Sequence, residues 1–572
     1  MIPPMAWSRT GALVGFLAFI LTPSAPLPAA STPAVRGGGG AVVSAERAST
    51  EVGLGVLRRG GNAADAAVAT ALAMTVVHPQ AGNLGGGGFA LLRFGDDISS
   101  LDFRETAPGA SHRTMFLDAS GEPIADASLV GPLAAGVPGT PAGLHELHHR
   151  YGSLPWSDVV APAVELAETG FSVTRRLAAT IDSERQLLER FSETADQWLP
   201  NDNVPAAGSR IRLPALARTL RAYAKRGPEA FTSGSLMTEM LTLVKRYGGI
   251  LSAADLAAYE PEWRRPLEFE SHGWKFAAMD LPSSGGYLVA AALESLDRLK
   301  WATHPRFGSE RGHLLAETWR RIFADRVGLG DPASTKTTPT ALLDPNRLDH
   351  LASTVDPDRA TQSTRIHAPP IEIIAEPNET VHLSVIDRHG NVVALTTTLN
   401  GTFGCGLWIP GGGFFLNNEM DDFSTAPGRP NLYGLVQGAA NQVAPGRRML
   451  SSMSPTIGWN DGEIVALGGR GGSRIPTAVV QVLLNLLVDG DDLQSAVDRP
   501  RLHHQWLPDV ISIEPDALSP ETRMRLEALG HVVEVSETTA KVNVARRLAD
   551  GHFEAAGDPR GPAAGGVVDA LP

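Results

Sequence analysis

A mixed α/β architecture follows from three features of the chain. Hydrophobic residues make up 43% and charged residues 19% of its 572 positions, enough for a large core. From Ala41 to about Gly330, helical patterns alternate with short strands. After a polar, Pro-rich stretch at 352–379, two alternating runs flank a turn and read as a β-hairpin. A prior of about 150 residues per domain would give roughly four units, but large layered α/β folds exceed that prior. The 60 glycines and 42 prolines imply many tight turns.

Composition excludes several classes of protein. Lys and Arg number 49 against 62 Asp and Glu, a net charge of −13, so a general nucleic-acid binder with a basic face is not expected. The single cysteine, Cys405, rules out an intramolecular disulfide and thiolate-clustered metal sites. It lies in the run Thr402-Phe403-Gly404-Cys405-Gly406, a loop, where a small buried side chain is expected rather than a nucleophile. Residues 1–30 read as a secretory signal: Arg9 supplies positive charge, Gly11 to Thr22 is a 12-residue apolar run, and small residues and prolines follow. The run is too short to span a bilayer, and no other stretch reaches 18 apolar residues. An exported protein is predicted, in a periplasm or outside the cell, with signal cleavage between Ala25 and Thr32.

Taken in chain order, residues 32–40 are a Gly-rich entry. Gly60-Gly61-Asn62 starts a helix of small residues running through Val77, and Gly85 to Gly88 opens a strand at Phe89 to Phe94. Residues 214–247 and 311–327 are predicted as helices. Thr380 to Ser384 alternates, Arg388-His389-Gly390-Asn391 forms a turn, and Val392 to Leu399 returns. Parity puts Thr380, His382 and Ser384 on one face and Val381, Leu383 and Val385 on the other; Thr396, Thr398 and Asn400 share a face of the return strand. By itself this is an ordinary half-buried hairpin.

Three further clusters are chemically suggestive but individually ambiguous. Asn417-Asn418-Glu419-Met420-Asp421-Asp422-Phe423 follows an apolar strand at Phe414 to Leu416; a surface turn is the default reading, a cation site or an ammonium receptor the alternatives. Ser451-Ser452-Met453-Ser454-Pro455 is the second. Gly468-Gly469-Arg470-Gly471-Gly472-Ser473-Arg474 is the third, with an apolar helix from Ile475 to Val488 behind it. Glycines before a helix expose N–H groups at the positive end of its dipole and can hold an anion or an oxyanion, although tight strand–helix packing explains them equally well. No Walker A Lys follows. His503 and His504 invite a metal reading, but adjacent strand residues point to opposite sides and no carboxylate–His spacing accompanies them, so packing or hydrogen bonding at a subunit contact is expected.

In this order and spacing, the Thr380-Val381-His382-Leu383-Ser384, Leu416 to Phe423, Ser451 to Pro455 and Gly471-Gly472-Ser473-Arg474 segments resemble the γ-glutamyltransferase (glutathione hydrolase) family of N-terminal-nucleophile hydrolases. Upstream matches are Gly60 to Ala66, Pro79-Gln80, Gly85 to Phe89, Asp102 to Pro108, Val137 to Thr140, Pro282 to Gly286 and Ala324-Asp325-Arg326; downstream, Pro500 to Pro508 and Asp558-Pro559-Arg560. The resemblance covers nearly the whole chain after the signal.

The resemblance implies a four-layer αββα sandwich built from two pieces of one precursor, a large subunit of residues 31–379 and a small subunit of residues 380–572. Autocatalytic scission of the Glu379–Thr380 bond would free the Thr380 amine, and the two pieces would remain together as a heterodimer. Thr380 would then be the nucleophile, with its own amine as base, since no local Ser/His/Asp arrangement feeds it. The same resemblance assigns Thr398 to support the nucleophile and Gly471 and Gly472 to the oxyanion hole. It assigns Arg104, Ser451 and Ser452 to a glutamyl α-carboxylate, and Asn400, Glu419 and Asp422 to its α-amino group. Ser424 to Val436, with Tyr433, would lid the pocket. The implied substrates are glutathione and related γ-glutamyl compounds, with water or amino acids and peptides as acceptors and no cofactor or metal.

Three positions depart from the family pattern: Val381 stands for a usual Thr or Ser, Arg470 for a usual Pro and Gly469 for a usual Ser. Slower maturation or altered hydrogen bonding, rather than loss of activity, is expected from the first, and altered acceptor preference or oxyanion stabilisation from Arg470. Two rival readings are a glutaryl-type acylase of the same fold and a non-catalytic exported γ-glutamyl-binding protein. Retention of both Glu419 and Asp422 argues against the acylase, whose substrates lack the α-ammonium.

Overall fold

The structure, a computed structural model, describes residues 33–366, 380–426, 429–537 and 540–569. The signal segment 1–30 and Glu379 lie outside the described residues.

Two seven-stranded sheets, each antiparallel throughout, form the centre. The first runs Ala564–Val567, Gly40–Ser44, Thr380–Asp387, Val392–Thr398, Gly87–Phe94, Asp97–Phe103, Glu262–Arg264. The second runs Val35–Gly37, Phe553–Ala556, Lys541–Arg547, Glu463–Arg470, Thr456–Asn460, Trp274–Ala278, Leu267–Ser271. Their inner faces meet through Ile386, Val392, Ala394, Ile457 and Ala466. Helices Arg47–Arg58 and Ala63–Val77 cover the outside of the first sheet, and Gly285–Arg298 and Ile475–Leu487 the outside of the second. Helix, sheet, sheet, helix is the layer order. Strands from both sides of position 380 share each sheet, so one core unites them.

The helix Ala63–Val77 forms because Asn62 Oδ1 accepts from the amides of Ala64 and Asp65, while Asp65 Oδ2 accepts from the Asn62 amide, a reciprocal cap. Apolar or small on all sides, it is buried along its whole length. Residues 214–247 divide into Pro214–Arg226, Glu229–Thr232 and Gly234–Arg246, broken where Gly227 and Gly234 adopt positive φ. Ser309–Asp325 and Ile475–Leu487 fall close to the expected bounds. The Pro-rich linker is pinned as far as it is described: Ser363 is buried, and its amide donates to Asp509 Oδ2 at 2.8 Å.

The hairpin departs from the half-buried expectation. Thr380–Asp387 is buried on both faces, because helices cover one side and the second sheet the other. Leu383 and Val385 pack on the helix side, and Val381 meets Ala45, Met74 and Ala81 there. Thr380, His382 and Ser384 turn inward. Gly468 opposite makes room for His382; a Cβ there would lie 2.4 Å from the imidazole.

His382 Nδ1 lies 2.8 Å from Thr396 Oγ1 and its Nε2 3.0 Å from Ser384 Oγ, and burial pushes its pKa down to about 3. The folded protein therefore refuses a proton that the unfolded chain takes at about pH 6.5. Its contribution is present above about pH 6.5 and is lost as pH falls towards 3, by up to about 1.4 kcal/mol per pH unit. The stability difference between wild type and His382→Asn, read from urea midpoints, should shrink over that window; a pH-independent difference contradicts the assignment.

Candidate active site

A small, partly open pocket lies where the two sheets end. Thr380, Thr398 and Gly472 line it, together with Arg104, Asn400, Glu419, Asp422, Ser451 and Ser452. Tyr433, Leu435, Met453 and Ile475 add apolar wall. The fold thus gathers the residues singled out from the sequence into one place, with Gly471 next to Gly472 at its edge.

Thr380 heads its strand directly opposite Thr398, so their β-carbons are about 5 Å apart on one face. Thr398 Oγ1 accepts from the Asn400 amide at 2.8 Å. Asn400 takes φ +71°, turning the chain out of the strand, and its Nδ2 donates to Asn418 O at 3.0 Å. Gly471 and Gly472 both have positive φ (138° and 54°) and lead into Ile475–Leu487. Tyr433 packs on Gly472: a Cβ there would lie 2.3 Å from its ring, and its hydroxyl donates to Asn400 O at 2.7 Å.

The acidic run is not a surface turn. Glu419–Asp422 is a buried 3₁₀ turn, with Glu419 1% and Asp422 6% exposed. Two asparagines fix it. Asn417 bonds the backbone of Gly85 and Gly136, and Asn418 that of Gly401 and Leu129. Arg104, at the end of Asp97–Phe103, pairs with Glu419 and, at 2.5 Å, with Asp422 Oδ2. Burial works against its charge, but Glu419, Asp422 and Glu105 outweigh it and hold the guanidinium above its ordinary pKa. Burial pushes Glu105 up to about 8 against the pull of Arg104, and Asp421 up to about 7 although Ser128 Oγ donates to it at 2.7 Å. Among the described residues, Glu419 Oε2, Asn400 Oδ1 and Ser452 Oγ are buried without a hydrogen-bond partner. Two acceptors and a hydroxyl are therefore available to a polar ligand.

The serine loop sits on a shelf made by Pro282–Gly286. Ser284 Oγ donates to Ser451 O at 2.8 Å and Ser283 Oγ to Met453 O at 2.6 Å, while Arg326 Nε donates to Ser284 Oγ at 3.1 Å. Tyr433 was legible only as part of a loop. Leu435, Met453 and Ile475 carried no distinguishing signal, because an apolar wall residue looks in sequence like any core residue.

Cys405 is fully buried away from this pocket and burial pushes its thiol up to about 12, so it has no nucleophilic character. His503 bonds Thr477 Oγ1 and Gln505 Oε1, both at 2.8 Å, and His504 lies 3.2 Å from Asp509. A different trio, His313, Glu317 and His531, brings ligand atoms within 4.8 Å of one another. Its carboxylate already accepts from Arg321 at 2.6 Å and from the Thr361 amide at 3.0 Å, which binds the trio into an ion-pair network rather than leaving it open to a metal.

Among solved structures, the chain is similar to a cephalosporin acylase from Bacillus halodurans, with a TM-score of 0.82 at 24% identity over 96% of this chain and 99% of that one, a likeness of fold. It is also similar to a γ-glutamyltranspeptidase from Pseudomonas nitroreducens complexed with L-DON, with a TM-score of 0.54 at 35% identity over 56% of this chain and 96% of that one. The layered sandwich, with a threonine heading a central strand at the mouth of a polar pocket, is that of an N-terminal-nucleophile hydrolase. A sequence model of the family described as Gamma-glutamyltranspeptidase matches residues 49–568, and a glutathione hydrolase proenzyme of Escherichia coli (strain K12) is 39% identical over 531 residues, 92% of this chain and 91% of its own. The chain belongs to the γ-glutamyltranspeptidase family.

Proposed function

We propose that this chain is a self-processing γ-glutamyltransferase acting on glutathione and related γ-glutamyl amides. Scission of Glu379–Thr380 yields residues 31–379 and 380–572, which stay together because each sheet contains strands from both pieces. The freed Thr380 amine, with a reference pKa of about 8, accepts the proton of its own hydroxyl. Oγ attacks the γ-carbonyl carbon, and the amides of Gly471 and Gly472 receive the oxyanion. The amine returns its proton to the leaving nitrogen as the C–N bond breaks, leaving a γ-glutamyl ester on Thr380. Water, or the amine of an amino acid or peptide, then attacks that ester with the Thr380 amine again as base. Glutamate or a new γ-glutamyl amide leaves, and the hydroxyl is restored.

The observation that carries this reading is the buried Arg104–Glu419–Asp422 cluster lining the same pocket as Thr380. A glutamyl group carries both a carboxylate and an ammonium. Its carboxylate takes Arg104, with Ser451 and Ser452 beside it, and its ammonium takes the two acids that Arg104 releases, with Asn400 Oδ1. A glutaryl group would capture Arg104 and leave both acids uncompensated, which costs about 3–5 kcal/mol.

Hydrolysis of γ-glutamyl-p-nitroanilide should therefore exceed that of glutaryl-p-nitroanilide by about 10²–10⁴-fold in kcat/KM, and Asp422→Asn should narrow the gap. Equal rates on the two anilides would defeat the reading. Export is supported by the charge, apolar length and small-residue exit of residues 1–30. No helix among the described residues is long and apolar enough to cross a membrane.

A further inference from the structure

Arg470 ends the strand Glu463–Arg470 and immediately precedes the two glycines at the pocket edge. Its side chain is buried, 5% exposed, and Nη1 lies 2.9 Å from His78 Nε2. His78, 1% exposed, is the cap residue at the end of helix Ala63–Val77. Its Nδ1 lies 2.9 Å from Oε1 of Glu46, the residue that begins helix Arg47–Arg58. A guanidinium can only donate, so His78 Nε2 accepts, and Nδ1–H donates to Glu46. The Gln80 carboxamide lies against the same ring, its nitrogen 3.1 and 3.2 Å from the two ring nitrogens.

The chain Glu46–His78–Arg470 thus crosses from the second sheet to the helix layer outside the first. The strand it bridges past is the one that carries Thr380. Gly468 faces His382, and Gly472 shares the pocket with Thr380, so Arg470 reaches across at the level where the strand begins. On the helix side, Val381 packs against Ala45 and Ala81, neighbours of Glu46 and close to His78 in sequence. The nucleophile strand and the glycine turn are therefore referenced to the same two helix ends, one by apolar contact and the other by a hydrogen-bonded chain.

We propose that Glu46–His78–Arg470 is a positioning brace that sets the amides of Gly471 and Gly472 relative to the Thr380 hydroxyl. This rests on the roles proposed above for those three residues. None of the brace residues lines the pocket, so it acts on the transition state through the glycines and leaves ground-state binding alone.

The test compares Arg470→Ala, His78→Ala, His78→Gln and the Arg470→Ala/His78→Ala double variant with wild type, all as full chains. Each alanine variant should lower kcat on γ-glutamyl-p-nitroanilide about 10–100-fold, with KM within about twofold. His78→Gln, whose Oε1 can accept from Arg470, should stay within about threefold of wild type, and the double variant should be no worse than the worse single one. Should Arg470→Ala fail to fold, the His78→Ala and His78→Gln pair decides alone. A KM effect with intact kcat, equal losses in His78→Gln and His78→Ala, or losses that multiply in the double variant would each overturn the brace. A wild type silent on the anilide would instead strike the substrate assignment. The brace is then read from the rate of scission at Thr380, and identical rates in wild type and both alanine variants would remove it.

Discussion

Thr380→Ala is expected to yield a chain that is neither cut nor active. The substitution removes the one hydroxyl that attacks twice in the proposed chemistry, first on the carbonyl of the preceding residue and then on the γ-carbonyl of the substrate. It leaves the fold alone, since the methyl of alanine still occupies the strand head opposite Thr398. Activity should fall by about 10⁴-fold or more, the scale seen when a nucleophile is deleted. Thr380→Ser keeps an attacking oxygen and should retain both scission and turnover at reduced rates. A denaturing gel and mass analysis of the two pieces check the first outcome, and anilide hydrolysis the second. A normally processed alanine variant would place the nucleophile elsewhere.

Arg104→Ala should have the next largest effect, for two reasons that separate experimentally. The cation is 1% exposed and surrounded by Glu105, Glu419 and Asp422. Removing it leaves buried carboxylates without a partner, a loss of about 3–5 kcal/mol that part of the cluster can relieve by taking up protons. The urea midpoint should drop, and drop less at lower pH, because protonated acids no longer need the guanidinium. Catalysis should lose about 10³-fold in kcat/KM on γ-glutamyl substrates, since the α-carboxylate loses its planar two-pronged donor. Arg104→Lys should restore most of the stability and little of the catalysis, because an ammonium supplies charge but not the fork that bonds Glu419 and Asp422 together. A lysine variant with wild-type KM would show that Arg104 serves the fold alone.

How much of this was legible beforehand differs residue by residue. The hairpin was readable because alternation reports directly on which side chains share a face, and Thr380 and Thr398 do sit opposite one another. The positive φ of Gly471 and Gly472 is the conformation that only glycine adopts cheaply, so consecutive glycines before an apolar run marked the turn. The acidic turn was misjudged as a surface feature because three acids in four residues normally seek water. Here Asn417 anchors it to the Gly85 carbonyl, 332 residues upstream, Asn418 to the Leu129 carbonyl, 289 residues upstream, and Arg104 pairs with it from 315 residues away. No local pattern encodes those partners. Likewise, the departure at Arg470 was visible, but its partner His78 lies 392 residues upstream.

The sequence alone determined the composition of the site: an ordered set of motifs that names the family, a hydroxyl-bearing strand, a glycine turn and a charged triplet. Tertiary structure decided what those parts do to one another, by burying both faces of the hairpin, drawing Arg104 onto Glu419 and Asp422, and tying Arg470 to His78 and Glu46. The reason is physical. Side-chain periodicity and turn chemistry act over a few residues and are written in the local sequence, whereas desolvation and ion pairing depend on distances through space that only the packed layers set.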